Sequence, residues 1–154
     1  MGEADWTKSS TKLFKYVFDQ NLFYTDGSLN YIDVKDLTEI ISKLLNSNIT
    51  NERFIISANS ISQIDFFKAI AIHFSKNPPK YKLGNNAISV FWRLEAIKAK
   101  LLGIEPLITK ETARSAKTHF IYKNDKIKST LKYEFKPLNE SLKRICESLA
   151  EKYS

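Results

Sequence analysis

Two tyrosines in this chain have a lysine four residues on, Tyr31 with Lys35 and Tyr122 with Lys126. On a helix that spacing puts both side chains on one face, where an ammonium can lower the phenol pKa and make the hydroxyl a general acid or base. Neither pair is expected to work this way. Tyr31–Lys35 crosses a strand-to-helix junction, where residues four apart do not share a helical face, and Tyr122–Lys126 spans a helix cap expected at Asn124 or Asp125. His73 lies within an apolar helix and His119 beside Phe120, and neither has metal-ligand spacing to a cysteine, histidine or carboxylate. The glycines stand at 2, 27, 84 and 103, so no two can share a Gly-x-x-Gly-x-x-Gly turn. A dinucleotide pyrophosphate needs that turn because only glycine lets the backbone approach it closely. No Gly-x-Ser-x-Gly elbow and no Gly-Lys-Ser/Thr phosphate loop is present. The chain is therefore expected to contribute no catalytic, cofactor-binding or metal-binding residue of its own.

The elements around these residues can be read from hydrophobic period and turn chemistry. Ser9 or Ser10 is expected to cap a helix with Leu13, Phe14, Val17 and Phe18 on one stripe. Leu22–Thr25 reads as a short strand turned by Asp26-Gly27. A second strand, Tyr31–Val34, runs to Asp36, which with Glu39 three residues later forms a capping-box pattern for a helix carrying Leu37, Ile40, Ile41, Leu44 and Leu45. Arg53–Ser57 is expected as a third strand. Ser60 with Gln63 repeats the box ahead of a helix through about Phe74, ended by Asn77-Pro78-Pro79. Tyr81–Leu83 reads as a strand. A long helix carrying Phe91 and Trp92 is expected from about Asn86 to Leu102, and another from Thr109. Phe120–Tyr122 is a brief extended piece, followed by a short helix capped at Asn124 or Asp125. Pro137 opens a last helix presenting Leu138, Leu142, Ile145 and Leu149.

Composition sets the class. The chain has 154 residues, is 43% hydrophobic and 12% aromatic, which suits one globular core. No apolar run reaches the roughly 18 residues that span a bilayer, and the first residues show no secretory pattern, so a cytoplasmic protein without membrane contact is expected. Cys146, the only cysteine, excludes an internal disulfide. A net charge of +7 can steer anions to the surface. The lysines are scattered among Glu and Asp with no run of four basic residues, so nucleic acid is not the expected partner.

Several segments in order carry a family likeness. Gly2-Glu-Ala-Asp5-Trp6 is similar to a Gly-Pro-Gly-Asp loop, Phe23–Gly27 to the hairpin ahead of Tyr31-Ile-Asp-Val-Lys-Asp-Leu37, and Arg53–Ser57 to a last sheet strand. Asn124–Leu138 resembles an Asp-x-Ser-Lys-Ala…Leu-Gly-Tyr-x-Pro tail, with Lys126 in the lysine place and Tyr133 in the tyrosine place. Together these resemble the C-terminal half of an extended short-chain dehydrogenase/reductase, the NAD-dependent epimerase/dehydratase family, in its dihydroflavonol-reductase-like branch.

The resemblance implies an α/β fold: the C-terminal part of a Rossmann-type sheet, residues 1–58, followed by a mostly helical substrate-binding subdomain, residues 59–154, in one compact unit. It implies hydride transfer using NAD or NADP in a full-length protein, with the glycine turn and the Tyr-x-x-x-Lys pair in a half that this chain lacks. The chain alone is then expected to bind no cofactor and to be inactive. Its implied partners are a small-molecule substrate and either the missing N-terminal half or a second copy, because its strands would have lost sheet neighbours. Where nucleotide-sugar members carry Arg-Asp ahead of the Tyr-Ile segment, this chain has Leu29-Asn30, which favours an aldehyde or ketone substrate over a sugar nucleotide. Trp6 follows the loop that borders the substrate, and Arg114 lies roughly where a second phosphate-binding arginine stands, although the Gly-Asp that follows it there is Ala116-Lys117 here. Trp6 and Arg114 are the expected substrate-binding residues. The alternative is a non-catalytic anion-binding or protein-interaction module that keeps the same fold.

Overall fold

The computed structural model describes residues 1–3, 5, 8–84, 97, 100–101 and 120–153. Three helices build the main core. They are α1 (Lys12–Phe18), α3 (Gln63–Phe74) and the last helix, α5 (Leu138–Tyr153). Helix α1 has only 7 residues, too few to be stable alone, so its place depends on burying Phe14 and Val17 against Phe66, Phe67 and Ile70 of α3 and Leu142, Ile145 and Leu149 of α5. Aromatic rings lock α1 to α3. Phe14 meets Phe66 edge-on with centroids 6.0 Å apart, Tyr16 stacks on Phe67 at 5.5 Å, and Phe18 meets Phe74 edge-on at 5.3 Å. The N-cap position of α1 is Thr11 rather than Ser9 or Ser10: Ser9–Thr11 form a 3₁₀ turn, and the Thr11 hydroxyl donates to the Asp5 carbonyl at 2.6 Å.

A second, smaller cluster gathers Ile40 of α2 (Val34–Leu45), Ile127 of α4 (Asp125–Leu131) and Tyr133, with Leu44, Phe54, Ile56, Leu131 and Phe135 against them. The strands are short. β1 (Phe23–Tyr24) pairs in parallel with β4 (Tyr81–Lys82), and β2 (Ser28–Tyr31) pairs antiparallel with β3 (Asn59–Ser62), Ser28 opposite Ser62 and Tyr31 opposite Asn59. The architecture is mixed α/β, dominated by helix. Among the described residues, no helix is long and apolar enough to cross a membrane. The expected helices from Asn86 and Thr109, with Phe91 and Trp92, lie outside the described residues.

Three boundaries differ from expectation, each for a local reason. The second strand ends at Tyr31, and the cap of α2 is Asp33, whose side chain accepts from the Lys35 N–H. Leu37 N–H already bonds the Asp33 carbonyl at 3.0 Å, so the helix has begun before Asp36. Helix α3 starts two residues later than the Ser60 pattern suggests, because Ser60 is taken by β3. Ser62 is the true cap, accepting from Asp65 N–H and donating to the Asp65 carboxylate at 2.6 Å. Arg53–Ser57 is no strand, since no strand pairs with it among the described residues.

Removing the Phe67 ring takes away the stack on Tyr16 and opens the helix interface. Phe67→Ala is expected to lower the free energy of unfolding by about 3–5 kcal/mol, read as a lower urea midpoint. A midpoint equal to the parent's would place the main core elsewhere.

Candidate functional site

The first turn of α2 carries two buried acids, Asp33 at 2% exposure and Asp36 at 0%. Carboxylates are favoured there because the first helical N–H groups point out of the turn with a partial positive charge. Each is answered from a distant part of the chain. Asp33 receives Arg144 Nη2 at 2.8 Å on both carboxylate oxygens, and Arg144 also pairs with Glu3. Burial alone would raise the Asp33 pKa, but hydrogen bonds from Ser141, the Lys35 N–H and Arg144 outweigh it and hold the carboxyl below its ordinary value.

Asp36 faces the tail after α4. Tyr133 donates its hydroxyl to Asp36 at 2.9 Å with Glu39 at 3.1 Å, while Lys136 reaches Asp36 through its backbone N–H at 3.2 Å and its ammonium at 3.1 Å. Lys43 completes the group, 3.3 Å from Glu39 and 5.0 Å above the Tyr133 ring. Burial, then Asp36 and Glu39, push the Tyr133 phenol well above its ordinary pKa. The Lys136 amine is raised by its bond to Asp36. A phenol beside two carboxylates holds its proton more tightly, which makes it a poorer proton donor and no base at neutral pH.

Beside this cluster lies a cavity of about 480 Å³ lined by Tyr31, Ala58, Asn59, Lys128 and the Tyr133–Pro137 segment. Lys128 stands over the Phe135 ring, 5.8 Å from its centroid. The walls offer the Asn59 amide, an aromatic face, the Lys128 ammonium and the Glu134 carboxylate, while the Lys136 ammonium is paired with Asp36. Nothing in them pairs a nucleophile with a base. Among the described residues, no group of three His, Cys, Asp or Glu side chains is placed to hold a metal.

The candidates read from sequence scatter. Trp6 and Arg114 both lie outside the described residues, as does His119. Tyr31 ends β2 while Lys35 sits in α2, so they stand on different elements. Tyr122 precedes α4, and Lys126 of that helix pairs with Glu52. His73 bonds the Asn139 amide oxygen at 2.8 Å, joining α3 to α5. Burial pushes the Cys146 thiol up to about 12. Asn30 is more telling: its amide donates to the Phe120 carbonyl at 2.7 Å and accepts from the Tyr122 N–H at 3.3 Å, holding residues 120–122 beside β2. Asn124 likewise donates to the Ser57 and Ala58 carbonyls at 2.7 and 2.9 Å. Sequence reasoning missed both clamps and the Asp36–Tyr133–Lys136 cluster. The polar residues flanking apolar segments were visible, but their partners lie some 66 to 100 positions away.

Arg144→Met leaves Asp33 buried without its cation and is expected to cost about 3 kcal/mol of stability at neutral pH. Because folding depresses the Asp33 pKa from its ordinary 3.8, the carboxylate's contribution is full above that value and is lost as pH falls through the folded value. The gap between variant and parent should therefore narrow below pH 3.8, as followed by thermal unfolding across pH. A gap constant from neutral pH to pH 3 would contradict the pairing.

The chain matches no protein-family model and no curated protein. It is similar to the crystal structure of gox2253, with a TM-score of 0.73 and 22% identity over 99% of this chain and 47% of that one. This likeness establishes a shared α/β fold, and the chain spans about half the length of the gox2253 chain.

Proposed function

We propose that this chain is the substrate-binding portion of an NAD(P)-dependent reductase or epimerase of the extended short-chain dehydrogenase/reductase type, working in the cytoplasm. The observation that carries the reading is the fold shared, over 99% of this chain, with 47% of a longer one. The motif order from Phe23–Gly27 through Asn124–Leu138 supplies the family. The residues present do not fit a dinucleotide. Gly2 is packed so that a Cβ there would meet Val34 Cγ1 at 2.9 Å, Gly84 faces open space, and neither belongs to a glycine-rich turn. NAD or NADP would be held by the remainder of the protein, and no step of the chemistry runs through the residues described here.

The contribution of this half is selection. Leu29-Asn30 removes the arginine that would grip a diphosphate, and Asn30 instead clamps Phe120 and Tyr122. That favours an aldehyde or ketone over a nucleotide sugar, with Trp6 and Arg114 as the substrate-facing side chains. The cavity beside Lys128 favours one other reading, a non-catalytic anion-binding module with the same fold.

The test uses the chain alone and the chain continuous with whatever its coding DNA specifies directly upstream. The continuous protein is expected to contain the glycine turn and the Tyr-x-x-x-Lys helix and to enhance NADPH fluorescence. It should oxidise NADPH in the presence of short aldehydes, while the chain alone does neither. A stop codon upstream, with inorganic pyrophosphate binding to the chain alone in a salt-sensitive manner, would replace this reading with the anion-binding module.

A further inference from the structure

The charges around the cavity of about 480 Å³ are balanced rather than basic. Lys136 is engaged by Asp36 at 3.1 Å and by Glu39 at 3.9 Å, so it brings no free cation. Lys128 of α4 and Glu134 of the tail after it also line the cavity, and both are exposed. Among the described residues, neither forms an ion pair, with the other or with a third group. The turn between them explains why they share a wall. Lys132 ends α4 in the left-handed conformation, φ 48° and ψ 45°, and the chain folds back so that the Tyr133 N–H bonds the Lys128 carbonyl at 3.1 Å. One free ammonium and one free carboxylate therefore border a single cavity without neutralising each other.

The remaining walls suit a small organic molecule. The Tyr31 phenol makes no hydrogen bond among the described residues, and burial raises its pKa, so it stays a donor. The Asn59 amide is oriented by its own backbone: its oxygen accepts from the Ser60 N–H at 2.8 Å, which leaves its N–H groups as donors. The Phe135 ring supplies apolar area and is fixed edge-on to Tyr133 with centroids 5.4 Å apart. These walls are held in place by bonds of the protein itself. Tyr31 stands opposite Asn59 in the β2–β3 ladder, and the tail is tied to Asp36 through Tyr133 and Lys136. A preformed, partly apolar cavity with a few convergent polar groups is the usual form of a small-molecule site.

We propose that this cavity binds a zwitterion, a free α-amino acid with an apolar or aromatic side chain. Its carboxylate meets the Lys128 ammonium, its ammonium meets the Glu134 carboxylate, and its side chain lies along Phe135. A simple anion would gain Lys128 but face Glu134, and a simple amine would gain Glu134 but face Lys128. Only a ligand carrying both charges on neighbouring atoms answers both walls. The site is separate from the substrate selection proposed above and does not depend on it.

Isothermal titration calorimetry on the 154-residue chain tests this with phenylalanine, with hydrocinnamate, which lacks the ammonium, and with phenethylamine, which lacks the carboxylate. Phenylalanine should bind at least about tenfold more tightly than either. Lys128→Met should remove its advantage over phenethylamine, and Glu134→Gln its advantage over hydrocinnamate. Both side chains are exposed, so each variant should melt with the parent, and a lowered melting temperature would mark these residues as structural and overturn the site. Hydrocinnamate or inorganic phosphate binding as tightly as phenylalanine would make the cavity an anion site and overturn the zwitterion. Phenethylamine binding as tightly would do the same in favour of an amine. No heat from phenylalanine at about 10 mM, or an affinity unchanged in both variants, would also overturn the inference.

Discussion

Two carboxylates set three residues apart at the start of α2 decide how the rest of the molecule closes. Asp33 and Asp36 are both withdrawn from water, and a buried carboxylate is tolerable only when cations and hydrogen-bond donors answer it. The donors come from opposite directions. Asp33 takes Arg144 from the middle of α5, which fixes that helix against the start of α2 and, through Glu3, against the N-terminal segment. Asp36 takes Tyr133 and Lys136 from the tail between α4 and α5. One helical turn therefore holds both the tail after α4 and the middle of α5.

That arrangement also sets the proton affinity of a tyrosine that sits among lysines. The effect of a lysine on a phenol depends on which charge dominates the phenol's surroundings. At Tyr133 the near charges are Asp36 and Glu39, and both act with burial to hold the proton on. Lys43, above the ring rather than beside the hydroxyl, does not reverse this. The cluster is a latch whose polar groups satisfy one another, and Tyr133 and Lys136 also line the adjoining cavity.

How far the sequence could be read depended on the range of the interaction involved. Helices with an apolar stripe, such as the one through Phe14 and Val17 or through Leu142, Ile145 and Leu149, were legible because their period is local and their packing partners need only be apolar. Start points were less so. Asp33 and Asp36 are chemically alike and both precede apolar residues, and Glu39 three positions beyond Asp36 completes a convincing box. Only the claim of Tyr133 on Asp36 and Glu39, from 97 and 94 residues away, decides that Asp33 is the cap. Ser60 lost to Ser62 in the same way, because pairing with Asn30 in the β2–β3 ladder withdrew it from the helix. Of the candidate site, the absence of a glycine turn was legible from spacing, whereas the cavity was not, since its walls come from residues 31, 58–59 and 128–137.

The two apolar clusters differ in completeness, and the difference bears on what kind of object this chain is. The α1–α3–α5 cluster is enclosed, with ten buried members drawn from three elements, as expected of a core that folds on its own contacts. The second has three buried members, with Phe54 and Ile56 only partly covered. Among the described residues, its floor is the segment that carries Phe54 and Ile56. A helix laid on a sheet normally spans more than one strand, because strands lie about 4.8 Å apart and a helix is about 10 Å across. Among the described residues, Ile41 and Leu45 of α2 stay exposed and no strand pairs with Phe54–Ile56. Both shortfalls lie in one layer, so among the described residues the second cluster is the less completely enclosed of the two.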